Sequence, residues 1–295
     1  MNLLSVNDFS KKKILELIGE AKKIKNRPKQ YENKLKNKTL LLFFELPSLR
    51  TRLSFETAIH QLGGHSIFYK TDPGLWKLKE SISDSSKNIS LFSDIVTLRL
   101  VKHKDIEEFA QNSSIPVINA LTDMYHPCQI LSDMLTIIEH KKRLQGLKLA
   151  YLGDSNNNIT HSLLICCSRL GLHISVACPK QKEYSPQKTV IEKAKEYSRT
   201  SKNKIEITSD PVAAVKDADI IYTDSWMSYA IPKAKQKQRK KILKKYQVNS
   251  SLLKKAKPGA IFMHCLPATR GKEVTADVID GPKSVVFKQA ENRLH

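Results

Sequence analysis

Residues 39–62 read TLLLFFELPSLRTRLSFETAIHQL, and this stretch indicates the class of the fold. The apolar run Thr39–Phe44 predicts a buried strand, and apolar residues at helical spacing predict a helix over Arg52–Leu62. Pro47 separates the two, because proline offers no backbone N–H to a sheet. A strand joined to a helix by a short loop is the building unit of parallel sheets that are covered by helices.

Strand and helix patterns alternate in the same way along the rest of the chain. Further helix patterns span Lys11–Ile24 and Thr189–Ser198. The alternation predicts an α/β protein with two parallel sheets of four or five strands, each flanked by helices. The predicted strands are Thr39–Phe44, Ser66–Tyr69, Ile95–Leu100 and Pro116–Ala120 in the first half, and Leu147–Leu152, His173–Ala177, Ile205–Thr208, Ile220–Thr223 and Ala260–His264 in the second.

A long helical pattern over residues 128–143 marks a junction between two domains. It ends in basic residues, which suit a helix C-terminus, and a new strand follows at Leu147. The chain of 295 residues is long for one hydrophobic core and sufficient for two. We therefore predict domains at residues 1–140 and 141–283. The C-terminal segment, about residues 284–295, is expected to form a short strand and a helix that can pack back on the first domain.

The composition narrows the class of protein. Hydrophobic residues make up 40% and charged residues 27% of the chain, which predicts a soluble globular protein. No run of about 18 apolar residues indicates a membrane span, and the N-terminus lacks the apolar core of a signal peptide. The five cysteines have no metal-type spacing. We expect reduced cysteines, a cytoplasmic location and no metal.

The formal charge of +21 raises the question of a nucleic-acid partner. The excess is mostly lysine, spread along the chain without interleaved aromatic residues. The densest run, Lys233–Lys245, is typical of a solvated helix face or a mobile loop. We therefore expect no nucleic-acid partner, although a positive field would attract anionic substrates.

The loop after the first predicted strand has the features of a phosphate-binding site. It leads into a helix predicted to begin near Thr51, and the first turn of a helix presents free N–H groups and a positive dipole end. Ser48 and Thr51 add hydroxyl groups, and Arg50 adds a charged fork suited to phosphate oxygens. The alternative is a plain helix cap with surface arginines.

The sequence His126-Pro127-Cys128-Gln129 predicts a second helix start with polar side chains. Pro127 fits the first helical turn, so His126 would stand at the helix start, where it could donate to a carbonyl oxygen. Gln129 would lie on the same face. A purely structural His-Pro pair is the alternative; zinc is disfavoured, since His126 and Cys128 have no partner at ligand spacing.

Three segments of the second half follow predicted strands, where ligands bind in open parallel sheets. Residues 153–158 read GDSNNN and lack the glycines of a dinucleotide site. Asp224 could bind an ammonium group, and the Cys265 thiol could face a crevice. The alternatives are an Asn-rich turn, helix capping by Asp224 or Ser228, and a buried structural cysteine.

In this order, these segments resemble the signatures of the aspartate/ornithine carbamoyltransferase family, most closely its ornithine branch. The family patterns S-T-R-T-R, H-P-C-Q, D-x-x-x-S-M and H-C-L-P stand here as Ser48-Leu49-Arg50-Thr51-Arg52, His126-Pro127-Cys128-Gln129, Asp224 to Ser228-Tyr229, and His264-Cys265-Leu266-Pro267. The similarity runs over nearly the whole chain to Arg293. The aspartate enzymes lack the cysteine of the last pattern, which favours ornithine as the acceptor.

The resemblance implies two α/β domains with the active site between them, in a homotrimer with sites at subunit boundaries. It implies transfer of the carbamoyl group of carbamoyl phosphate to the side-chain amine of L-ornithine, giving L-citrulline and phosphate in arginine metabolism. No cofactor is expected, because carbamoyl phosphate is already activated. The alternatives are another amine acceptor, such as putrescine, or a non-catalytic regulatory relative; the intact Arg50, His126 and Cys265 disfavour the latter.

The resemblance also implies roles for individual residues. Carbamoyl phosphate would be bound by Ser48, Leu49, Arg50, Thr51, Arg99, His126, Gln129, Cys265, Leu266 and Arg293. Ornithine would be bound by Asn158, Asp224, Ser228 and Tyr229, with Asn157 as a further candidate. The expected catalytic residues are Arg99, His126 and Cys265, and Lys79 would serve the site of an adjacent subunit. Leu49 replaces a family threonine and Tyr229 a family methionine, so Tyr229 bears on the choice of acceptor.

The expected reaction is attack of a neutral amine on the carbamoyl carbon. Negative charge then develops on the carbonyl oxygen, at which Arg99, His126 and Thr51 would be aimed, while Arg50 and the helix start hold the phosphate. Because an alkyl amine has a pKa of about 10, the site must favour the deprotonated form. Cys265 could orient the amine and the leaving phosphate could accept the proton; the sequence does not decide between them.

Overall fold

The computed structural model describes residues 1–227 and 233–295, and it contains two parallel β-sheets. One compact unit comprises Met1–Leu135 and Glu291–His295, and the other comprises Thr136–Ala290. Each unit has one sheet with helices around it, so the predicted α/β class is confirmed. The domain division at residue 140 stays a prediction. Within the described part of the chain, no helix has both the length and the apolar character that a bilayer span requires.

The sheet of the first unit has the strand order β2-β1-β3-β4, with every neighbouring pair parallel. Its strands are β1 Thr39–Phe44, β2 His65–Lys70, β3 Ile95–Arg99 and β4 Val117–Leu121. The α-helices are α1 Lys11–Asn26, α2 Leu49–Gln61, α3 Ile82–Phe92, α4 His103–Asn112 and α5 Pro127–Lys141, and 3-10 helices cover Val6–Asp8, Pro28–Tyr31 and Leu75–Leu78.

The sheet of the second unit has the order β7-β6-β5-β8-β9, again with parallel neighbours. Its strands are β5 Lys148–Leu152, β6 His173–Ala177, β7 Ile205–Thr208, β8 Ile220–Thr223 and β9 Ile261–His264. The α-helices are α6 Asn158–Leu170, α7 Lys188–Ser201, α8 Pro211–Val215, α9 Lys233–Leu243, α10 Ser250–Leu253, α11 Ala276–Ile279 and α12 Val286–Asn292, with 3-10 helices at Lys182–Tyr184 and Lys244–Tyr246.

The apolar runs of the sequence form strands because both sheet faces are covered. In β1, Leu42 and Phe44 pack with Ile59 of α2 in one apolar cluster, whereas Phe43 packs in another with Leu98 of β3. Successive side chains of a strand point to opposite faces, so a continuous apolar run is what two covered faces require. The predicted strands are present, each within a single residue of its predicted ends.

Two local predictions differ from the structure. Helix α2 begins at Leu49 and not near Thr51, because the Ser48 side chain caps it by accepting the Thr51 N–H at 3.3 Å. The strand expected at the C-terminus is wrong: Ser284 forms an isolated bridge with Phe262, flanked by backbone bonds from Phe262 to Lys283 and from Val285 to Phe262, and α12 follows directly. One bridge cannot hold a strand, since a strand is stabilised by several cross-strand pairs.

Candidate active site

The phosphate loop of the first unit, residues 45–50, connects β1 to α2 and includes the first two residues of that helix. The Ser48 backbone is extended, and the Ser48 hydroxyl donates to Thr51 Oγ1 at 2.9 Å. Thr51 is buried, whereas the Leu49 side chain is 72% exposed. Leu49 can therefore offer only its backbone N–H, and its substitution for threonine removes no side-chain donor from the buried side of the loop. The helix start supplies N–H groups and a positive dipole end to an anion.

Arg99 lies at the carboxyl end of β3, next to β1 in the sheet. Its side chain is buried, and its Nη1 donates to Thr51 Oγ1 at 3.4 Å. The guanidinium and the start of α2 are therefore joined through one hydroxyl group. Because arginine stays charged in proteins, this contact sets a permanent positive charge beside the phosphate loop.

His126 and Gln129 stand at the start of α5, and Arg293 joins them. Arg293 Nη1 donates to Gln129 Oε1 at 2.7 Å and lies 3.4 Å from His126 Nε2. An arginine has no acceptor atom, so Nε2 accepts and the ring hydrogen lies on Nδ1. Gln129 Nε2 donates in turn to Asp133 Oδ1 at 2.8 Å. Asp133 was not predicted from the sequence. The signal that could have identified it is an acidic residue one turn after Gln129 in the same helix.

Burial and the nearby charges of Arg293, Arg99 and Arg50 hold the pKa of His126 well below its ordinary value. The imidazole is consequently neutral at physiological pH and has one N–H to donate. A neutral donor among arginines suits a carbonyl oxygen that gains negative charge, because the arginines supply the charge and the imidazole supplies direction.

In the second unit, the ends of β8 and β9 bring Asp224 and Cys265 together. The two strands are paired neighbours in the sheet, with Thr223 beside His264. The Cys265 thiol donates to Asp224 Oδ1 at 3.0 Å, and the Ser225 N–H donates to the same oxygen at 2.7 Å. Both Asp224 and Cys265 are half-buried, so an anionic oxygen and a thiol face one place at the sheet edge.

Three asparagines follow β5, and two of them, Asn157 and Asn158, are candidates for binding the acceptor. Asn157 caps α6: its Oδ1 accepts the Thr160 N–H at 2.8 Å, and its Nδ2 donates to Tyr151 Oη at 2.9 Å and to the Asp154 carbonyl at 2.7 Å. Both ends of its amide therefore bind within the protein. Asn158 is the first residue of α6 and is half-buried, so Asn158 is the better candidate for contact with a ligand.

Asp154 and Arg239 form an ion pair that the sequence analysis missed. Arg239 of α9 is buried, pairs with Asp154, donates from Nε to the Trp226 carbonyl at 2.8 Å and lies over the Tyr184 ring. Burial raises the pKa of Asp154 to about 6, against the opposing charge of Arg239. The run Lys233–Lys245 is thus not only a solvated face. Its single arginine was the available signal, because arginine is the residue suited to buried pairs.

Asp224, His264 and Cys265 offer donor atoms within 4.8 Å of one another, as a metal site would require. His264 Nδ1 accepts the Leu266 N–H at 2.8 Å, however, and its Nε2 lies 3.6 Å from Glu273 Oε1. Nδ1 of the imidazole is therefore occupied by a backbone N–H at the end of β9.

The predicted residues fall into two sets. Ser48, Arg50, Thr51, Arg99, His126, Gln129 and Arg293 lie in the first unit, and Asn158, Asp224, Cys265 and Leu266 lie in the second. Lys79 follows the 3-10 helix Leu75–Leu78 and is exposed. Ser228 and Tyr229 lie outside the residues that the structure describes.

Comparison with known proteins matches both halves of the chain to one family. Residues 1–139 match the carbamoyl-P binding domain of aspartate/ornithine carbamoyltransferase, and residues 145–295 match its Asp/Orn binding domain. The ornithine carbamoyltransferase of Thermococcus kodakarensis is 46% identical over 100% of this chain and 93% of its own length. That of Oceanobacillus iheyensis is 48% identical over 100% and 91%.

Solved structures agree. The ornithine carbamoyltransferase of Pyrococcus furiosus has a TM-score of 0.94 and 44% identity, covering 100% of this chain and 93% of its own. The ornithine transcarbamoylase of Giardia lamblia has a TM-score of 0.91 and 40% identity, covering 100% and 94%. With matching domains along its length and relatives at this identity, the chain belongs to the aspartate/ornithine carbamoyltransferase family.

Proposed function

We propose that this chain transfers the carbamoyl group of carbamoyl phosphate to the side-chain amine of L-ornithine, giving L-citrulline and phosphate. The observation that carries the proposal is a pair of hydrogen-bonded groups in the first unit, Arg99 with Thr51 and Arg293 with His126 and Gln129. Arg50, Arg99 and Arg293 are all near enough to His126 to lower its pKa. Carbamoyl phosphate presents both an anionic phosphate and a carbonyl oxygen, and this set holds donors for each. The relatives named ornithine carbamoyltransferase support the acceptor.

The donor set acts on carbamoyl phosphate in two ways. Arg50, Ser48 and the first N–H groups of α2 bind the phosphate, and their positive charge also stabilises phosphate as a leaving group. Arg99 and the neutral His126 donate to the carbonyl oxygen, where charge develops as the amine attacks. Each such donor is worth about 3–4 kcal/mol in comparable oxyanion sites. Arg293 and Gln129 hold the imidazole in position.

The set in the second unit binds the acceptor. Asp224 pairs with the α-ammonium group of ornithine, while Asn158 and Ser228 donate to its carboxylate. Cys265, whose thiol contacts Asp224, directs the reacting amine, and the departing phosphate takes the proton that the amine releases. This assignment leaves carbamoyl transfer independent of any metal or organic cofactor, since the activated phosphate already supplies the driving force.

A homotrimer is part of the proposal. In the first unit, α2, β2 and the 3-10 helix Leu75–Leu78 have exposed apolar side chains that a neighbouring copy would cover; these are Leu49, Leu53, Ile67, Tyr69, Leu75 and Leu78. Exposed apolar residues on such a scale are typical of protein interfaces. Lys79 extends from the same region and would serve the site of the adjacent subunit. The relative from Pyrococcus furiosus is named anabolic, which supports a role in arginine biosynthesis in the cytoplasm.

One parallel assay tests the proposal. Purified protein is supplied with carbamoyl phosphate and with ornithine, putrescine, aspartate or N-acetylornithine, and phosphate release is measured. We expect the highest kcat/KM with ornithine. Preference for another amine would change the proposed acceptor but leave carbamoyl transfer as the proposed reaction. Absence of phosphate release with all four acceptors, from protein that is folded by circular dichroism, would contradict the proposal.

A further inference from the structure

Glu45 is a buried carboxylate in the first unit that no substrate contact explains. It follows β1 directly and is the first residue of the phosphate loop. Its side chain is only 3% exposed. A carboxylate removed from water is costly unless donors surround it, and a negative charge in an anion-binding loop would also repel the substrate. A buried glutamate at this position is therefore expected to have a structural or functional role.

The Glu45 side chain accepts hydrogen bonds from three separate groups. Oε1 accepts the Gly74 N–H at 2.7 Å and the Trp76 indole N–H at 2.9 Å, and Oε2 accepts the Val101 N–H at 2.7 Å. The Glu45 backbone N–H donates to the Arg99 carbonyl at 2.9 Å. Hydrogen bonds of this charged kind are about twice as strong as neutral ones, so the carboxylate is well compensated.

These partners belong to the carboxyl ends of three adjacent strands. Gly74 and Trp76 lie in residues 71–79, the connecting arm that leads from β2 to α3 and ends at Lys79. Val101 lies two residues after Arg99, where β3 ends. Glu45 itself lies at the end of β1, between β2 and β3 in the sheet. One side chain thus links the phosphate loop, the strand that presents Arg99 and the connecting arm.

The connecting arm makes further contacts near its centre, and these contacts do not involve the phosphate loop. The Trp76 ring packs edge-on against Phe43 at 5.2 Å, and Lys77 pairs with Asp105 at 2.6 Å. Gly74 has a φ of +74°, a conformation that suits glycine. Beyond these anchors, Leu78 is 80% exposed and Lys79 points away from the core at the surface. The arm is fixed at its base and presents its end outward.

The geometry points to Glu45 as a positioning residue that sets both the donors for carbamoyl phosphate in its own subunit and the arm that presents Lys79. This inference rests on the proposed function. Through Val101 and the Arg99 carbonyl, Glu45 fixes the end of β3 and hence the direction of the Arg99 guanidinium. Through Gly74 and Trp76, it fixes the base of the connecting arm. The three internal N–H donors compensate the charge of the Glu45 carboxylate, which therefore is not directed at the substrate.

Two substitutions separate these roles. Glu45→Gln keeps the size of the side chain but replaces one acceptor oxygen by an NH₂ group, which must face an N–H group of Gly74, Trp76 or Val101 and cannot accept from it. Trp76→Phe removes the indole N–H and part of the ring volume but keeps an aromatic ring against Phe43, so it affects the connecting arm and leaves the Val101 bond in place.

Asp94→Asn is the matched control. Asp94 is another carboxylate bound to β1, but at the amino end of the strand, where it accepts the Thr39 N–H at 2.9 Å and pairs with Lys38. Asp94→Asn therefore removes a carboxylate with backbone partners without disturbing the strand ends that hold Arg99. Because the Asp94 side chain is 35% exposed and that of Glu45 is buried, the two substitutions can differ in their cost in stability, and thermal unfolding of each variant separates that cost from a kinetic effect.

The test measures steady-state kinetics, binding of carbamoyl phosphate by calorimetry and thermal unfolding for the wild type and the three variants. For Glu45→Gln, we expect kcat/KM for carbamoyl phosphate to fall about 10-fold to 100-fold, since small misplacements of binding groups have effects of this size. For Trp76→Phe, we expect near-normal affinity for carbamoyl phosphate and a kcat that is lower by about 3-fold to 10-fold. Asp94→Asn should keep wild-type kinetics even if its melting temperature falls.

Two outcomes would overturn the inference. One is unchanged kinetics and binding in both Glu45→Gln and Trp76→Phe; the other is an equal kinetic loss in Asp94→Asn. If Glu45→Gln does not fold, Trp76→Phe and Asp94→Asn still decide. Failure of the proposed function is distinguishable, because the wild type itself would then neither bind carbamoyl phosphate nor release phosphate.

Discussion

The two sets of site residues are built differently. In the first unit, the buried Arg99, the half-buried Arg293, a neutral histidine and a glutamine take part in hydrogen bonds between separate elements. In the second unit, Asp224 and Cys265 are half-buried and bonded mainly to each other at two strand ends. A dense set of donors is organised before the ligand arrives, which favours tight and demanding recognition of an anion. The sparser set recognises its ligand through few contacts, so single residues there decide which acceptor is used.

Acceptor choice is the largest effect that this comparison predicts. Ornithine has a carboxylate that Asn158 and Ser228 can bind, whereas putrescine leaves those donors unpaired. Sites that bind a polar substrate group reject analogues without it by factors on the order of 10⁴ at best. We expect kcat/KM to favour ornithine in the wild type, as measured with both amines at saturating carbamoyl phosphate.

The variant Tyr229→Met, measured in the same assay, tests whether this residue affects the choice of acceptor. Tyrosine at this position either fills the space of the family methionine or narrows the site for the acceptor. A small change in kcat/KM for ornithine is expected, because a backbone contact would survive the substitution. Preference of the wild type for putrescine, or a large gain for ornithine in Tyr229→Met, would show that the sparse set is tuned to a different amine.

Arg50→Ala should have the next largest effect, because it removes a fixed positive charge from the dense set. We expect turnover to fall about 10³-fold, the upper range for loss of one such group, with the fold retained by circular dichroism. Calorimetry with carbamoyl phosphate measures the affinity directly. Arg52→Ala is the control: Arg52 is in the same helix, but it is paired with Glu56 at 2.9 Å and half-exposed. Near-normal affinity in Arg50→Ala would remove Arg50 from the site.

Subunit mixing tests whether the dense set is completed by another chain. Arg50→Ala and Lys79→Ala subunits should each be inactive alone. In a trimer that shares its sites, random mixing gives about a quarter of the sites an intact Arg50 from one chain and an intact Lys79 from its neighbour. We expect activity to return to that extent after reassembly. A monomer by light scattering, or no recovery in subunits shown to have mixed, would argue against shared sites.

The smallest predicted effect is a pH dependence of stability that originates at His126. Its folded pKa is lowered by burial and by three arginines, so below about pH 6.5 the unfolded chain binds a proton that the folded chain refuses. Stability should therefore be complete above this pH and decrease as the pH falls, by at most about 1.4 kcal/mol per pH unit for this one group.

Urea unfolding at pH 7.5 and 5.5 measures this effect, with His126→Gln as the comparison. The free energy of unfolding should decrease more on acidification in the wild type than in the variant. Equal decreases in the two proteins would mean that the imidazole is not held neutral. The description of the first set as arginines around a neutral histidine would then be wrong.

The order of the elements could be predicted from the sequence alone, and so could most of the chemical groups of the candidate site. Apolar runs such as Thr39–Phe44 could be placed because a strand covered on both faces must be apolar at every position. The start of α5 could be placed because Pro127 suits the first helical turn for local steric reasons. Pro47 likewise marked the end of β1, although α2 begins earlier than predicted. These properties depend on neighbouring residues in the chain and can be read from it.

Only the tertiary structure decided which side chains meet across the fold. The hydrogen-bond partners of Glu45 are 29 to 56 positions away in the sequence. Asp154 and Arg239 are 85 positions apart, and Arg293 and Gln129 are 164 positions apart. A local pattern can single out a residue such as Arg239 but does not identify its partner, because a buried charge is compensated by the donors packed around it and not by its neighbours in sequence. The sequence thus names the groups that bind the substrates, whereas packing alone fixes the charges and hydrogen bonds that hold those groups in place.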